Sequence, residues 1–200
     1  MAREGLPFLL AAMAGVALAV RSLNLWLVLV CLALLVLSYL VFRDPRRVIP
    51  AAPLGVVSPV DGDVIRVDQI DHGVPHGGAQ RIRIRIDSLG SYSARAPVEG
   101  KIMELHRLAD SHKQNYATHA LWLQTDEGMD VILQFSGYRF GLAPRALLQY
   151  GERVGQGQRC AYLRLTREAE VHVPLASQVL VEPGTKLIAG QDLIAKVPQL

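Results

Sequence analysis

Arg95-Ala96-Pro97-Val98-Glu99-Gly100-Lys101-Ile102 repeats, with one acid exchanged for another, a unit already present at Ser58-Pro59-Val60-Asp61-Gly62-Asp63-Val64. Both read X-Pro-Val-acid-Gly-polar-aliphatic. Proline fixes φ and removes a donor, so each unit suits the mouth of a strand rather than its middle. The glycine either takes a positive φ or lets another backbone come close. Alternation resumes after each, as Val64-Ile65-Arg66-Val67 and as Lys101-Ile102-Met103-Glu104-Leu105. Two copies of a turn-into-strand unit predict a β domain with approximate internal symmetry.

Further along, Gly151-Glu152-Arg153-Val154-Gly155-Gln156-Gly157-Gln158 is echoed by Pro183-Gly184-Thr185-Lys186-Leu187-Ile188-Ala189-Gly190-Gln191. Small sandwich and barrel folds of the lipoyl/biotinyl kind are punctuated in this way. Between the two Pro-Val-acid-Gly units, Arg81-Ile82-Arg83-Ile84-Arg85-Ile86-Asp87 alternates as a strand with its isoleucines inward. Ala120 to Gln124 and Val131 to Phe135 form a strand pair around Asp126-Glu127-Gly128. His72 to Gln80 and Asp110 to Thr118 read as loops, and Pro144 to Tyr150 as a short helix or another strand. The expectation is a mainly β, barrel-sandwich domain over residues 44–200.

Ahead of it, Gly5 to Val20 and Leu25 to Phe42 are apolar runs divided by Arg21-Ser22-Leu23-Asn24. As helices they span about 24 and 27 Å, against a hydrocarbon core of about 30 Å. They predict a two-helix transmembrane hairpin anchor over residues 1–43. Arg43, Arg46 and Arg47 follow it, so the positive-inside bias places the C-terminal domain in the cytoplasm at the inner membrane. The competing reading is a cleaved signal peptide ending near Ala17-Leu18-Ala19. The second apolar run favours the anchor.

Half of the chain is hydrophobic, and 21 basic against 18 acidic residues give a formal charge of +3. That balance excludes a general nucleic-acid binder. Cys31 and Cys160 are too few and too far apart for a disulfide scaffold or a C-x-x-C metal site. His72 and His76 have i, i+4 spacing but no third ligand, and the expectation is solvated histidines without a metal. His106, His112 and His119 show no useful spacing. His172 alternates like a hydrogen-bonded strand residue, and Cys160 reads as a small core residue.

Phe42-Arg43-Asp44-Pro45, Ser58-Pro59-Val60-Asp61-Gly62, Arg95 to Lys101, Asn115, Gln134-Phe135-Ser136-Gly137, Gly157-Gln158-Arg159, Arg164 and Pro174 follow one another behind the paired apolar runs. In this order the chain resembles the short form of phosphatidylserine decarboxylase across most of its length. The resemblance implies a serine, in a Gly-Ser pair, that attacks its own preceding carbonyl. The chain splits and the serine becomes a pyruvoyl group, an electron sink for decarboxylation, with a histidine and an aspartate activating the serine.

This sequence departs from the pattern at those residues. The family's R-F-G-S-R stands here as Arg164-Leu165-Thr166-Arg167-Glu168, and its L-D-x-H as Leu89-Gly90-Ser91-Tyr92. Only Asp61 remains of the acid–base set. The arginine-rich helix usual after Q-I-A-G is reduced to Tyr138-Arg139-Phe140-Gly141. Thr166 is an alternative nucleophile, but Leu165 before it lacks the freedom of glycine. Asp61 and Glu99, the acids of the two echo turns, otherwise cap local N–H groups, and Ser58 and Ser136 serve as turn residues.

The resulting expectation is a membrane-bound relative of that family in phospholipid metabolism, a pseudoenzyme with no pyruvoyl cofactor. Arg43, Arg46 and Arg47 would meet anionic headgroups, each with about 1 kcal/mol near the surface. The arginines of Arg81 to Asp87 read as a solvated sheet face. The protein would form a homo-oligomer, or pair with a related active protein. Two alternatives stand beside it: an active decarboxylase with an atypical prosthetic group, and a membrane-anchored adaptor.

Overall fold

A computed structural model of the chain describes residues 5–43, 45, 47–74, 77–88, 90–103, 120–138 and 142–198. Two compact units divide it, Met1–Arg46 and Arg47–Leu200. Arg46, His76, His106, His112, Asn115, His119, Arg139 and the loop expected at Asp110 to Thr118 lie outside the described residues.

The first unit holds α1 (Leu6–Arg21) and α2 (Leu25–Val41). Proline at the start of α1 suits a first turn, where its missing N–H has no partner to lose. The break between the helices is chemical. Ser22 folds its hydroxyl back onto the Ala19 carbonyl at 2.7 Å. Asn24 then accepts from the amides of Trp26 and Leu27, starting α2 afresh as an N-cap. Phe42 closes the pair by stacking on Phe8, with ring centroids 5.4 Å apart.

The length of the helices corrects the expected transmembrane hairpin. The helices have 16 and 17 residues, about 24 and 26 Å at the rise of an α-helix. No described helix is long and apolar enough to cross a membrane. The apolar side chains are there, with Phe8 59% and Trp26 78% exposed, but each helix falls short of the roughly 30 Å hydrocarbon core.

The second unit is mainly β. Its strands are β1 (Gly55–Val57), β2 (Gly62–Val74), β3 (Gly77–Ile86), β4 (Ser93–Arg95), β5 (Gly100–Met103), β6 (Ala120–Gln124) and β7 (Asp130–Ser136). They continue as β8 (Arg145–Ala146), β9 (Arg153–Val154), β10 (Arg159–Tyr162), β11 (Glu168–Pro174), β12 (Gln178–Val179), β13 (Lys186–Leu187) and β14 (Leu193–Lys196). An eight-stranded sheet runs β13-β2-β3-β11-β7-β6-β5-β9, and two three-stranded sheets run β1-β14-β12 and β4-β10-β8. The loop expected at His72 to Gln80 is instead mostly ladder. β2 extends to Val74 and pairs it with Gly77, because continued pairing with β3 satisfies backbone groups that a loop would leave to water.

The two echoes in the sequence are the two halves of this fold. Val57 donates its N–H to the Pro97 carbonyl at 2.9 Å, and Arg95 donates to the Pro59 carbonyl at 2.8 Å, a reciprocal exchange between the turns. Gly190 donates to Ser58 O at 2.7 Å, and Gly157 to Ala96 O at 2.9 Å. Both glycines have positive φ, +73° and +70°, which is why each late echo ends in Gly-Gln. Val64 exchanges bonds with Gly184 and Thr185 as Ile102 does with Gly151 and Glu152. The long sheet therefore reads as mirrored halves about the central β11–β7 pair: β13 answers β9, β2 answers β5, and β3 answers β6.

All three sheets close on one core. Ile82, Ile84, Leu123, Leu133, Val171 and Phe135 come from the long sheet. Val56, Ile194, Ala94 and Cys160 come from the short ones, and none is more than 1% exposed. At ~25 cal/mol per Å² of apolar area this burial is the main favourable term for the domain. Cys160 belongs to it, as expected, and burial pushes its thiol up to about 12.

Candidate functional site

Asp61 stands at the end of the first Pro-Val-acid-Gly turn, with its side chain 13% exposed. Its oxygens are fully engaged. Arg47 approaches both through Nη2, at 3.0 and 2.8 Å. The Ser91 amide donates to Oδ2 at 2.8 Å and the Ala189 amide to Oδ1 at 2.7 Å. Gly90 lies so near that a Cβ there would meet Asp61 Cβ at 2.8 Å. The carboxylate thus ties together the chain after the helices, the segment at 90–92 and the turn before Gly190. Arg47, expected among the headgroup-binding arginines, gives its guanidinium to Asp61 instead. Arg43 is exposed. Glu99, the matching acid of the second turn, lines a cavity of about 300 Å³ with Thr125, Asp126 and Glu127. Ser58 donates to the Val60 carbonyl at 2.7 Å, a turn role.

The segment at 90–92 also meets the turn from Leu163 to Thr166. Leu163 donates its N–H to the Tyr92 carbonyl at 2.9 Å, and the rings of Tyr92 and Tyr162 lie 5.8 Å apart. The Leu163 carbonyl accepts from the Thr166 amide at 3.1 Å and also from the Thr166 hydroxyl. Arg164 enters the turn with φ +51°. Arg167 leaves it exposed, its carbonyl accepting from the Ile86 amide at 2.8 Å. On its other side Gly137, the last residue of Gln134-Phe135-Ser136-Gly137, comes so close that a Cβ would meet Arg167 Cβ at 3.3 Å. Motifs scattered through the sequence therefore converge on one turn.

The residues of that turn do not fit a pyruvoyl group. Arg167 has no hydroxyl. Thr166 is 8% exposed, and its hydroxyl proton is committed to the Leu163 carbonyl. The aromatic ring of Tyr92 occupies the place matched to a histidine, so the imidazole that would act as base is missing there. Among the described residues no group of three or more His, Cys, Asp or Glu side chains is arranged to hold a metal.

A second cluster was not visible in the sequence as a unit. Glu170 and His172, both on β11, face away from the shared core yet are 7% and 4% exposed. His172 Nε2 lies 3.4 Å from Glu170 Oε2, and Arg83 Nε 2.9 Å from Glu170 Oε1. Arg81 pairs mainly with Asp68, at 2.5 Å. The β3 arginines expected on a solvated face are thus partly ion-paired. The signal was the ladder register, which sets Glu170 opposite Arg83 and His172 opposite Arg81. Register cannot be read from one strand alone.

The hydrogen bond from His172, then the Arg83 charge, hold the Glu170 carboxyl below its ordinary 4.5 against the opposing effect of burial. The Arg81 hydrogen bond does the same for Asp68. A carboxyl that binds its proton more weakly folded than unfolded stabilises the fold fully above its unfolded value. That stability drains as pH falls through the folded value. Unfolding free energy measured by urea titration should therefore fall as pH drops below 4.5. Glu170→Gln should flatten that fall and lower stability at neutral pH.

The fold and site together define a mainly β protein whose two symmetric turn motifs position an acid and a strand-connecting turn around one centre. No family model matches the chain. It is 32% identical over 210 residues to the phosphatidylserine decarboxylase proenzyme of Nitrosomonas europaea, covering 98% of this chain and 94% of that one. Proteins of the same name from Nitrosomonas eutropha and Burkholderia ambifaria are 33% and 30% identical, covering 98% and 100% of this chain. Among solved structures, glucose permease IIA from Mycoplasma capricolum superposes with a TM-score of 0.48 at 18% identity, over 71% of this chain and 94% of that one. The chain belongs to the phosphatidylserine decarboxylase family, and with it to the proteins related to phospholipid metabolism.

Proposed function

We propose that this protein is a non-catalytic member of the phosphatidylserine decarboxylase family that binds phospholipid at a membrane surface without decarboxylating it. The observation that carries the reading is the turn at Leu163–Thr166. An arginine side chain follows it where the family pattern has the nucleophile, and the Thr166 hydroxyl already donates to a carbonyl. Without an activated oxygen there is no acyl shift and no electron sink for the departing carboxyl.

The membrane part of the reading is supported by the exposed leucines, valines and Trp26 of α1 and α2. That exposed apolar area would gain about 25 cal/mol per Å² on leaving water for an acyl environment. Arg43, exposed just past α2, would add attraction to anionic lipid of about 1 kcal/mol, which favours the cytoplasmic face of the inner membrane.

The test is flotation of the full chain with vesicles of phosphatidylcholine and carboxyl-labelled phosphatidylserine. The expected result is a chain that floats with the vesicles while the label stays in lipid. Release of labelled carbon dioxide above a protein-free control would refute the non-catalytic reading. A chain left at the bottom of the gradient would refute lipid binding.

A further inference from the structure

Resting on the lipid-binding reading above, we infer that the Arg164–Arg167 turn is a docking point for an anionic bilayer surface. Arg164, Leu165 and Arg167 are exposed, Leu165 at 46%, while Thr166 between them is buried. Three side chains thus project around a single tight turn, two cationic and one apolar. Their base is rigid. The Leu163 carbonyl is held by Thr166, the Leu163 amide by Tyr92, and the Arg167 carbonyl by Ile86.

Among the described residues the guanidinium groups of Arg164 and Arg167 make no ion pair, unlike those of Arg47, Arg81, Arg83 and Arg153. Glu168, the adjacent acid, stands opposite Arg85 in the ladder and is half-buried. The turn therefore presents unneutralised positive charge beside apolar surface. Tyr138, 38% exposed, follows the glycine that abuts Arg167 and extends the apolar part. An acidic protein face would answer the arginines alone. A bilayer of anionic lipid answers all three, with phosphates for the guanidiniums and the acyl boundary for Leu165 and Tyr138.

The attraction acts within a Debye length, about 10 Å at 0.1 M salt, and each arginine near the surface should strengthen binding roughly fivefold. The experiment places an environment-sensitive dye on Leu165→Cys in the full chain carrying Cys31→Ser. Cys160 is wholly buried, with its thiol pushed up to about 12, and will not label. Vesicles of phosphatidylcholine are compared with vesicles containing phosphatidylglycerol. The expected result is a blue shift on the anionic vesicles only, reversed by salt.

In a chain that also carries Arg164→Asn and Arg167→Gln, half-saturation should need roughly 25-fold more lipid. Asparagine is chosen because it tolerates the positive φ at position 164. A chain that floats with vesicles while the dye stays unshifted would overturn this inference and leave lipid binding standing. An equal shift on both vesicle types, or no effect of the arginine changes, would also overturn it. A chain that does not float would remove both.

Discussion

Replacing Asp61 with alanine is expected to lower the unfolding free energy by about 3–5 kcal/mol, the range found when one partner of a buried ion pair is removed. The carboxylate satisfies Arg47, whose side chain is 16% exposed, and the amides of Ser91 and Ala189. Each amide left unpaired and buried costs about 1–3 kcal/mol on its own. The parts can be separated. Adding Arg47→Met to Asp61→Ala removes the orphaned charge but not the orphaned amides, so it should recover only part of the loss. Urea titration gives both values, and an unchanged m-value would show that the loss lies in the native state. A loss below about 1 kcal/mol for Asp61→Ala, within the range of an exposed pair, would mean that Asp61 holds nothing together and is an idle acid–base remnant.

Gly62→Ala and Gly100→Ala should each destabilise the domain by about 3 kcal/mol or more, at or beyond the upper end for overpacking. A Cβ at Gly62 would stand 2.0 Å from the Arg85 carbonyl oxygen, and one at Gly100 would stand 2.2 Å from that of Gln124. Both obstacles are backbone atoms of the neighbouring strand, so no rotamer change relieves them. Neither glycine has a positive φ, and close approach is the whole of the reason. Gly128→Ala offers a contrast. A Cβ there would meet nothing within 4 Å, and its cost arises only from φ +78°, about 1 kcal/mol. Equal melting temperatures for wild type and Gly62→Ala would contradict the close packing of the paired strands.

Much of this was legible because it is local chemistry. The two Pro-Val-acid-Gly units, the alternation of Arg81 to Asp87 and the strand pair around Gly128 announce themselves through φ restriction and a period of two. The pairing of each early echo with a late one was present as repetition but not as contact, since hydrogen bonds such as Gly190 to Ser58 span most of the domain. The anchor expectation failed on length. The break at Arg21 to Asn24 was legible, and Ser22 and Asn24 do stop and restart the helices there, but no described helix is long and apolar enough to cross a membrane. At the site, the residue identities at 166 and 167 were readable directly. That Asp61 would be occupied by Arg47 was not, because nothing in a sequence states which cation reaches a given acid. The same holds for Glu170, whose partners depend on a register fixed by the whole sheet.

The most direct test of the non-catalytic account is the intact mass, under denaturing conditions, of the protein purified from membranes. The account predicts one species at the full 21.9 kDa of the chain. Two fragments, divided at Leu165–Thr166 or elsewhere in that turn and with the downstream piece blocked at its new N-terminus, would contradict it.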